Sequence, residues 1–345
     1  MWKQRVTVTL PTYEIPLPVR PAPFEHMVIR SEEPWARQMG IDDSTIESYR
    51  HGLNSGRLTS LEYPASGLED CEHLNRWMWW YFYYDDQFNG PLGHDLPGTR
   101  RTIEATREVF RGRRPEHSDL RNWTLYHLRG ELFAAMPAPW CDSFIEHCDL
   151  WLHGYLWETG LRIEDRIPGL AEFTSNRLWT SGMKMTVDLV EYAVRATPPE
   201  RFIRHKEIDQ LTTDLSNIIA WSNEMNSLAM ETQFHPVNNL VYVFYWHETH
   251  DMQEAVDRTH ALYQAVCRDA LAVQHRLPAI MDELQLSRSE QGIAWRWLEA
   301  AYHCIGGGLA WQLETGRYDT PTGPVDVPVP ELNPVPELNP DPAEP

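Results

Sequence analysis

Residues 77–90, WMWWYFYYDDQFNG, predict a long aromatic helix that ends in two aspartates. On such a helix, Asp85 and Asn89 stand four residues apart and share one face. Mg²⁺ prefers oxygen ligands and is often held by one or two carboxylates together with substrate phosphate. The aromatic and thioether side chains one and two turns earlier are Met78, Tyr81 and Phe82. This pattern fits a metal site above a pocket for a cationic intermediate, because aromatic faces attract cations. It also fits a half-buried helix whose solvated end carries Asp85 and Asp86.

A second group of oxygen-bearing side chains lies within residues 221–231, WSNEMNSLAME. Asn223, Ser227 and Glu231 stand at positions i, i+4 and i+8, so they drift by only about 80° around a helix. Three such side chains in one stripe can chelate a hard cation, with water and phosphate completing its coordination. Metal sites on two facing helices could neutralise a diphosphate leaving group and so drive C–O ionisation. Taken alone, the stripe fits a solvated helix face equally well.

The charge balance argues against nucleic acid and anionic membranes as main partners. The 345 residues include 50 acidic and 30 basic side chains, for a formal net charge of −20. Phosphate backbones need clustered Lys and Arg, whereas this composition suits a protein that attracts divalent cations. The longest apolar runs, such as 240–246, are too short to cross a bilayer. We therefore expect neither a nucleic-acid partner nor a membrane span.

The cysteines indicate a reducing compartment. Their number is odd and no CxxC pair occurs, so we expect reduced thiols that are mostly buried as small apolar side chains. They are Cys71, Cys141, Cys148, Cys267 and Cys304. The N-terminal segment lacks the apolar stretch of a signal peptide. The expected location is cytoplasmic.

Hydrophobic periodicity predicts an all-α protein with a single main domain. Between residues 31 and 318, apolar side chains recur at helical spacing, as in 187–194, 208–220 and 262–273. Glycine and proline pairs separate these runs, and no series of period-two, β-branched segments indicates a sheet. We predict one bundle of about ten helices spanning residues 31–318.

Both ends of the chain differ from this helical region. Residues 1–30 are punctuated by proline and predict a mostly irregular strap, in which Val6, Val8 and Leu10 alternate and could form a strand. Residues 319–345 contain nine prolines, no Lys or Arg, and the repeat PVPELNP-VPELNP. Such a segment buries too little apolar surface to offset its ordering entropy. We expect a disordered or polyproline-II tail that activity does not need; a docking peptide is the alternative.

The two oxygen-rich motifs, in this order, resemble the metal-binding pair of bacterial class I terpene synthases. That family carries an aspartate-rich DDxx(x)D/E motif, here residues 85–89, and an Asn-Asp/Glu-x-x-Ser-x-x-x-Glu triad, here residues 223–231. The resemblance covers nearly the whole chain apart from the tail. It implies the class I terpenoid synthase fold, an all-α bundle around a central cavity, with three Mg²⁺ ions bound beside the substrate diphosphate and Mn²⁺ as a substitute. The implied metal ligands are Asp85, Asp86, Asn89, Asn223, Ser227 and Glu231.

Residues 177–182, RLWTSG, resemble the family's diphosphate-sensing arginine followed by its linker and effector residues. By this resemblance Arg177 is the sensor, Thr180 the linker and Ser181 the effector on a helix break. Arginine suits the role because its always-charged fork matches phosphate oxygens. A surface ion pair is the alternative role for Arg177.

Near the end of the helical region, Arg317-Tyr318 resembles the family's diphosphate-binding Arg-Tyr pair. Tyrosine would add a hydroxyl donor to the arginine's charge. Six residues earlier, Trp311 is a candidate for the pocket wall. The triplet Gly306-Gly307-Gly308 lies inside a helical run and predicts a kink near the pocket.

Two positions depart from the family pattern. Residue 89 is Asn where the family usually has an acidic side chain, so Asp85 would carry most of the metal binding in this motif. Residue 230 is Met where a Lys usually precedes the last Glu and touches diphosphate. One phosphate contact is therefore missing, which weakens substrate binding without removing the metal site.

Together these features predict a carbon–oxygen lyase that ionises an isoprenoid diphosphate and cyclises the carbocation. The product would be a sesquiterpene or diterpene, either a hydrocarbon or an alcohol. Farnesyl diphosphate is the favoured substrate and geranylgeranyl diphosphate the next, and we expect a monomer or a homodimer. One alternative is a chain-elongating or head-to-head prenyltransferase on the same fold, which normally needs two aspartate-rich motifs. The other is a non-enzymatic helical scaffold that docks through its proline-rich tail.

Overall fold

The structure, a computed structural model, describes residues 4–12, 14–231, 238–318 and 322–329. Within these ranges the chain forms fifteen α-helices and one two-stranded sheet, so the all-α prediction is confirmed with one small addition. The strands are β1 (Gln4–Leu10) and β2 (Gly323–Val329). The helices are α1 (Glu25–Gln38), α2 (Asp43–Gly52), α3 (Ser55–Glu62), α4 (Leu68–Asp85), α5 (Leu96–Phe110), α6 (Leu120–Ala135), α7 (Ala138–Glu164), α8 (Leu170–Thr180), α9 (Met183–Ala193), α10 (Glu200–Ile203), α11 (Lys206–Asn226), α12 (Leu228–Glu231), α13 (Leu240–Phe244), α14 (Met252–Glu283) and α15 (Arg288–Glu314).

The helix count exceeds the prediction of about ten because several helices are single turns. Helices α10 and α12 have four residues each and α13 has five, which is too short for a periodic pattern to reveal. Helix α1 begins at Glu25, so the helical region starts six residues before the predicted boundary at residue 31.

The sheet joins the two ends of the described chain and corrects the prediction for part of the tail. Strands β1 and β2 run antiparallel, with Gln4 opposite Val329 and Leu10 opposite Gly323. Val325, Val327 and Val329 alternate on the buried face of β2, and this period-two pattern outweighs the proline content. The prediction of a disordered tail is therefore wrong for residues 323–329. Residues 319–321 and 330–345, with most of the proline-rich repeat, lie outside the described residues.

Helix α4 supplies the centre of the core. Trp77, Trp80 and Tyr84 are fully buried on one side of this helix. Trp151 of α7 meets the Trp80 ring edge-to-face, with centroids 6.0 Å apart, and the Tyr84 ring in a tilted contact at 5.4 Å. Such pairs add to the free energy of burying each ring. The aromatic run therefore fixes α4 against α7, and the opposite side of α4 faces a cavity.

Helix α15 is continuous through its glycine triplet, from Arg288 to Glu314. A Cβ on Gly306 would meet the carbonyl of Pro18, and a Cβ on Gly307 would meet the backbone of Leu61. The glycines therefore allow α15 to approach α3 and the N-terminal segment closely, which any side chain would prevent.

All five cysteines are buried and unpaired, as predicted. Among the described residues, no helix is long and apolar enough to cross a membrane.

Candidate active site

The helices enclose a cavity of about 420 Å³. Every residue that the sequence analysis assigned to the site lines this one cavity: Met78, Tyr81, Phe82, Asp85, Asp86, Asn89, Arg177, Thr180, Ser181, Asn223, Ser227, Glu231, Trp311, Arg317 and Tyr318. We call its polar end the part lined by Asp85, Asp86, Glu158, Arg162, Arg177, Asn223, Ser227, Glu231, Arg317 and Tyr318. Its apolar wall is the part lined by Met78, Tyr81, Phe82, Met185, Ile219, Gly308 and Trp311.

Asp85 is the last residue of α4 and lies at the polar end. Tyr155 of α7 donates a hydrogen bond of 2.9 Å from its hydroxyl to Asp85 Oδ1. Burial raises the pKa of Asp85 to about 6, and repulsion from Asp86 adds to this effect. A divalent cation beside Asp85 would lower this pKa again, because it stabilises the charged carboxylate.

The residues after Asp85 leave the α-helix. Asp86 to Asn89 form a 3₁₀ turn, so Asn89 does not share a regular α-helical face with Asp85 as the spacing predicted. The Asn89 amide instead donates to Asp86 Oδ1 at 3.3 Å. Tyr49 of α2 also donates its hydroxyl to Asp86, on the other carboxylate oxygen. Asn89 as a metal ligand stays a prediction.

The triad lies where α11 ends and α12 begins. Ser227 separates the two helices, but backbone bonds of 2.8 Å from Ser227 to Asn223 and from Glu231 to Ser227 keep the helical spacing. The Ser227 hydroxyl donates to Glu231 Oε1 at 2.8 Å. Asn239 donates to the other Glu231 oxygen at 2.9 Å. The oxygens of Ser227 and Glu231 therefore converge as the i, i+4 pattern predicted.

Arg177 is buried against the start of the triad. Its Nε donates to Glu224 Oε1 at 2.6 Å and its Nη2 donates to Asn223 Oδ1 at 2.7 Å. Burial alone would lower the pKa of Arg177, but attraction to Glu224 and Glu231 outweighs burial and raises it. The guanidinium is therefore a permanent positive charge at the cavity, and not the surface ion pair that was the alternative.

The chain breaks its helix directly after Arg177 and Thr180. Helix α8 ends at Thr180, Gly182 adopts a left-handed conformation with φ of 73°, and α9 begins at Met183. Glycine accepts this conformation without the strain that a side chain would cause. The Ser181 hydroxyl accepts a hydrogen bond of 3.3 Å from the backbone N–H of Met183. Ser181 thus stands on a helix break, as predicted.

Arg317 and Tyr318 connect the two oxygen-rich motifs. Arg317 Nη2 donates to Asp86 Oδ1 at 2.9 Å, and the amide of Asn223 donates to the Tyr318 hydroxyl at 2.7 Å. Because these two residues are neighbours in the chain, their contacts bring the aspartate motif and the triad to the same end of the cavity. Burial raises the pKa of Tyr318 to about 12, so its hydroxyl keeps its proton at neutral pH.

An aromatic surface adjoins this pair. The Arg317 guanidinium lies 4.9 Å from the centroid of the Phe82 ring, and Phe82 meets Trp311 at 5.7 Å. The Trp311 indole N–H donates to the carbonyl of Leu53 at 2.8 Å, which fixes the ring. Trp311 therefore lines the cavity as predicted, with its polar atom satisfied elsewhere.

Several site residues were missed by the sequence analysis. Glu158 and Arg162 of α7 line the cavity and pair at 3.1 Å. Their i, i+4 spacing is visible in the sequence but is common on solvated helices. Tyr49 and Tyr155, which contact the two aspartates, carry no local signal, because packing of α2 and α7 against α4 places them there.

The polar end fits divalent cations by charge and by donor type. Carboxylates of Asp85, Asp86, Glu158 and Glu231 outnumber the guanidiniums of Arg162, Arg177 and Arg317. A diphosphate approaching this end alone would therefore meet net repulsion, which bound cations would offset. No group of three or more His, Cys, Asp or Glu in the described ranges is placed to hold a metal. Mixed carboxylate, amide and hydroxyl ligands, completed by phosphate and water, suit a hard cation such as Mg²⁺.

Oxygen donors and arginines gather at one end of the cavity, and this arrangement fits a site for metal ions and a diphosphate in a helical bundle. Known proteins resemble this chain in sequence and in fold. Residues 76–269 match the family model described as terpene synthase family 2, C-terminal metal binding. That match covers more than half of the chain, so the protein belongs to this family and is a class I terpene cyclase.

Individual relatives are distant but extend along most of the chain. Pristinol synthase of Streptomyces pristinaespiralis is 25% identical over 315 residues, covering 88% of this chain and 84% of that protein. A (+)-T-muurolol synthase of Roseiflexus castenholzii, named as cyclising (2E,6E)-farnesyl diphosphate, is 28% identical over 239 residues, covering 69% and 73%. The crystal structure of germacradien-4-ol synthase from Streptomyces citricolor gives a TM-score of 0.77 at 20% identity, over 89% of this chain and 99% of that one. The structural likeness supports the fold.

Proposed function

We propose that this protein ionises farnesyl diphosphate with Mg²⁺ and cyclises the cation to a sesquiterpene hydrocarbon or alcohol. The observation that carries the proposal is the convergence of both motifs on one cavity through Arg317 and Tyr318. The cavity volume of about 420 Å³ falls within the range of small-molecule sites. Farnesyl diphosphate is favoured over geranylgeranyl diphosphate because the relative from Roseiflexus castenholzii is named for that substrate.

Each side chain has a role in this reaction. Asp85 and the triad would hold Mg²⁺, which when bound would supply positive charge to offset the charge developing on the leaving diphosphate. Arg177, Arg317 and Tyr318 hold and orient the diphosphate by charge-assisted hydrogen bonds. The apolar wall takes the hydrocarbon chain, excludes water and presents aromatic faces to the cation. We retain three Mg²⁺ ions, Mn²⁺ as a substitute, a monomer or homodimer, and a cytoplasmic location as predictions from the sequence.

A substrate panel tests the proposal. The protein is incubated with geranyl, farnesyl and geranylgeranyl diphosphate and Mg²⁺, and extracts are analysed by gas chromatography with mass spectrometry. We expect a cyclic product from farnesyl diphosphate that chelation of the metal abolishes. A folded protein that gives no volatile product with any of the three would contradict the proposal. In a parallel incubation that adds isopentenyl diphosphate as the co-substrate for elongation, a longer linear diphosphate would instead indicate the prenyltransferase, which the family assignment disfavours.

A further inference from the structure

A buried carboxyl group lies in the apolar wall, away from both metal motifs in sequence. Glu62 is the last residue of α3, is only 4% exposed and lines the cavity. Its Oε2 is fully enclosed and has no hydrogen-bond partner among the described residues. Buried carboxyl groups are almost always paired, because an unpaired one costs free energy. An unpaired carboxyl in a binding cavity therefore points to a function in the reaction.

The glycine triplet of α15 lies against the other oxygen of the Glu62 carboxyl group. A Cβ on Gly308 would lie 3.3 Å from Glu62 Oε1 and 2.9 Å from Ile219 Cδ1. Gly308 therefore presents bare backbone to Glu62 Oε1, without a side chain that could cover the carboxyl group. A larger side chain at position 308 would cover this carboxyl or displace it from the wall.

The depth of Glu62 matches the hydrocarbon part of the substrate. Ile219, which shares the contact with Gly308, lies one turn before Asn223 on α11, or about 6 Å along the axis. Met78, also in the apolar wall, lies two turns before Asp85 on α4, or about 10 Å along the axis. A diphosphate held at the polar end would therefore extend its olefinic chain toward Glu62.

Burial keeps a proton on this carboxyl group. Burial raises the pKa of Glu62 well above its ordinary value, and no cationic group opposes the effect. Tyr81 also lines the cavity and its hydroxyl has no hydrogen-bond partner among the described residues. The ordinary pKa of a tyrosine phenol, 10.0, already lies above the 4.5 of a glutamic acid carboxyl, and burial raises the pKa of the Tyr81 phenol further. Glu62 is the stronger proton donor in this wall.

We propose that Glu62 is a catalytic acid that protonates a neutral olefin intermediate inside the cavity. This inference rests on the proposed function. The first cyclic cation loses a C–H proton to the released diphosphate, which leaves a neutral olefin. The O–H bond of Glu62 then breaks as a C–H bond forms, giving a second cation beside the Glu62 carboxylate. That carboxylate finally takes a proton from the last cation, or from water that adds to it, so that Glu62 is regenerated.

Glu191→Gln is a matched control for Glu62→Gln. Glu191 is likewise a buried carboxyl with an unpaired Oε2 among the described residues, and its pKa is raised to about 8 by burial. It lies on α9 and does not line the cavity. Any effect of removing a buried carboxyl in general will therefore appear in both variants.

The experiment uses the full chain with farnesyl diphosphate and Mg²⁺ in D₂O, and measures diphosphate release and the mass of the product. Wild type and Glu191→Gln should give one product carrying one deuterium, because the Glu62 carboxyl exchanges with solvent between turnovers. Glu62→Gln should still release diphosphate, since ionisation occurs at the polar end, but should give a less cyclised olefin without deuterium. Glu62→Asp should restore part of the labelled product.

Two results would overturn the inference. One is a wild-type product without deuterium; the other is an unchanged, labelled product from Glu62→Gln. If Glu62→Gln does not fold, the deuterium content of the products of wild type and Glu62→Asp still tests the inference. Unlabelled products from both would contradict the role of Glu62 as the catalytic acid. Absence of diphosphate release from folded wild type would instead overturn the proposed function itself, so the two failures are distinguishable.

Discussion

At the scale of single residues, the charged side chains that line the cavity are held in place by hydrogen bonds and ion pairs with their neighbours. Arg317 meets Asp86, Arg177 meets Glu224, and Tyr155 donates to Asp85. These contacts hold the polar end together while carboxylates remain in excess over guanidiniums. Removing one member changes both the local charge and the position of its partner, so single substitutions here should have large effects.

The first residue-scale prediction concerns the carboxylate at the end of α4. Asp85→Ala should lower kcat/KM by roughly a thousandfold, because a lost metal ligand removes several kcal/mol of leaving-group stabilisation. Steady-state kinetics with farnesyl diphosphate measures the effect. Asp142→Ala, at an exposed position of α7, is the control. Full activity in Asp85→Ala would show that the metals bind elsewhere.

The second residue-scale prediction concerns an arginine that the motifs did not reveal. Arg162 Nη1 is buried at the cavity without a hydrogen-bond partner among the described residues, while Nη2 pairs with Glu158. We expect Nη1 to donate to diphosphate. A hydrogen bond from a charged group contributes about 1.5–3 kcal/mol. Because about 1.4 kcal/mol corresponds to a tenfold change in affinity, Arg162→Met should weaken the binding of inorganic diphosphate with Mg²⁺ by roughly tenfold or more.

Calorimetric titration provides the measurement for Arg162. The control is Arg166→Met, because Arg166 pairs with Glu172 and Glu164 and does not line the cavity. Equal diphosphate affinity of Arg162→Met and wild type would show that Arg162 does not bind the diphosphate.

At the scale of elements, helix α9 carries a buried carboxyl that couples stability to pH. The pKa of Glu191 is raised from 4.5 to about 8 by burial and by repulsion from Asp188. The folded state therefore holds this proton more tightly than the unfolded state does. Its contribution to stability is complete below pH 4.5 and is lost as the pH rises through about 8.

Glu191→Gln should remove this dependence. Between about pH 5 and pH 9, the free energy of unfolding of wild type should fall relative to the variant by up to about 5 kcal/mol, the equivalent of this pKa difference. Urea unfolding at a series of pH values measures it. Glu200→Gln, at a position that is 70% exposed, is the control and should follow wild type. If the free energy of unfolding changes with pH in the same way for Glu191→Gln and wild type, Glu191 is not the source of this pH dependence.

At the scale of the whole molecule, the sheet ties both ends of the described chain to the helices near the site. The β1 backbone exchanges hydrogen bonds with Gln253 of α14 through Thr9. Tyr242 of α13 donates its hydroxyl to the carbonyl of Pro328 in β2 at 2.7 Å. Just before α13, Asn239 bonds Glu231 of the triad. The sheet therefore supports the segment that positions Glu231, one of the proposed metal ligands.

Two truncations test this role. Deleting residues 322–345 removes β2 and exposes the buried faces of Val8 and Leu10, so the free energy of unfolding should fall by roughly 3 kcal/mol. Deleting residues 331–345 keeps β2 and should leave stability and activity unchanged, in line with the expected dispensable tail. Thermal unfolding and kinetics compare the two. Equal stability of both truncated chains would show that β2 contributes nothing.

The sequence by itself determined the helical class and most residues of the polar end, but not Glu158 and Arg162. Helical periodicity, the aspartate pair and the i, i+4, i+8 triad are local patterns, and local spacing fixes which side chains share a helix face. Arg177 and the pair Arg317-Tyr318 were predicted from the resemblance of their motifs, in this order along the chain, to those of a known family. Ionisation of an isoprenoid diphosphate could therefore be predicted from the sequence before any tertiary contact was known.

Only the tertiary structure decided which distant groups meet. The pairing of β1 with β2 joins residues more than three hundred positions apart, and the high proline content of the tail hid the short alternation of valines. Glu62 lies beside the cavity because glycines in α15 let that helix approach α3 closely. No local pattern marks such a residue, because its burial and lack of a partner arise from packing between helices far apart in sequence. Local sequence patterns thus predicted most of the polar end, whereas packing between distant helices placed the Glu62 carboxyl group in the apolar wall.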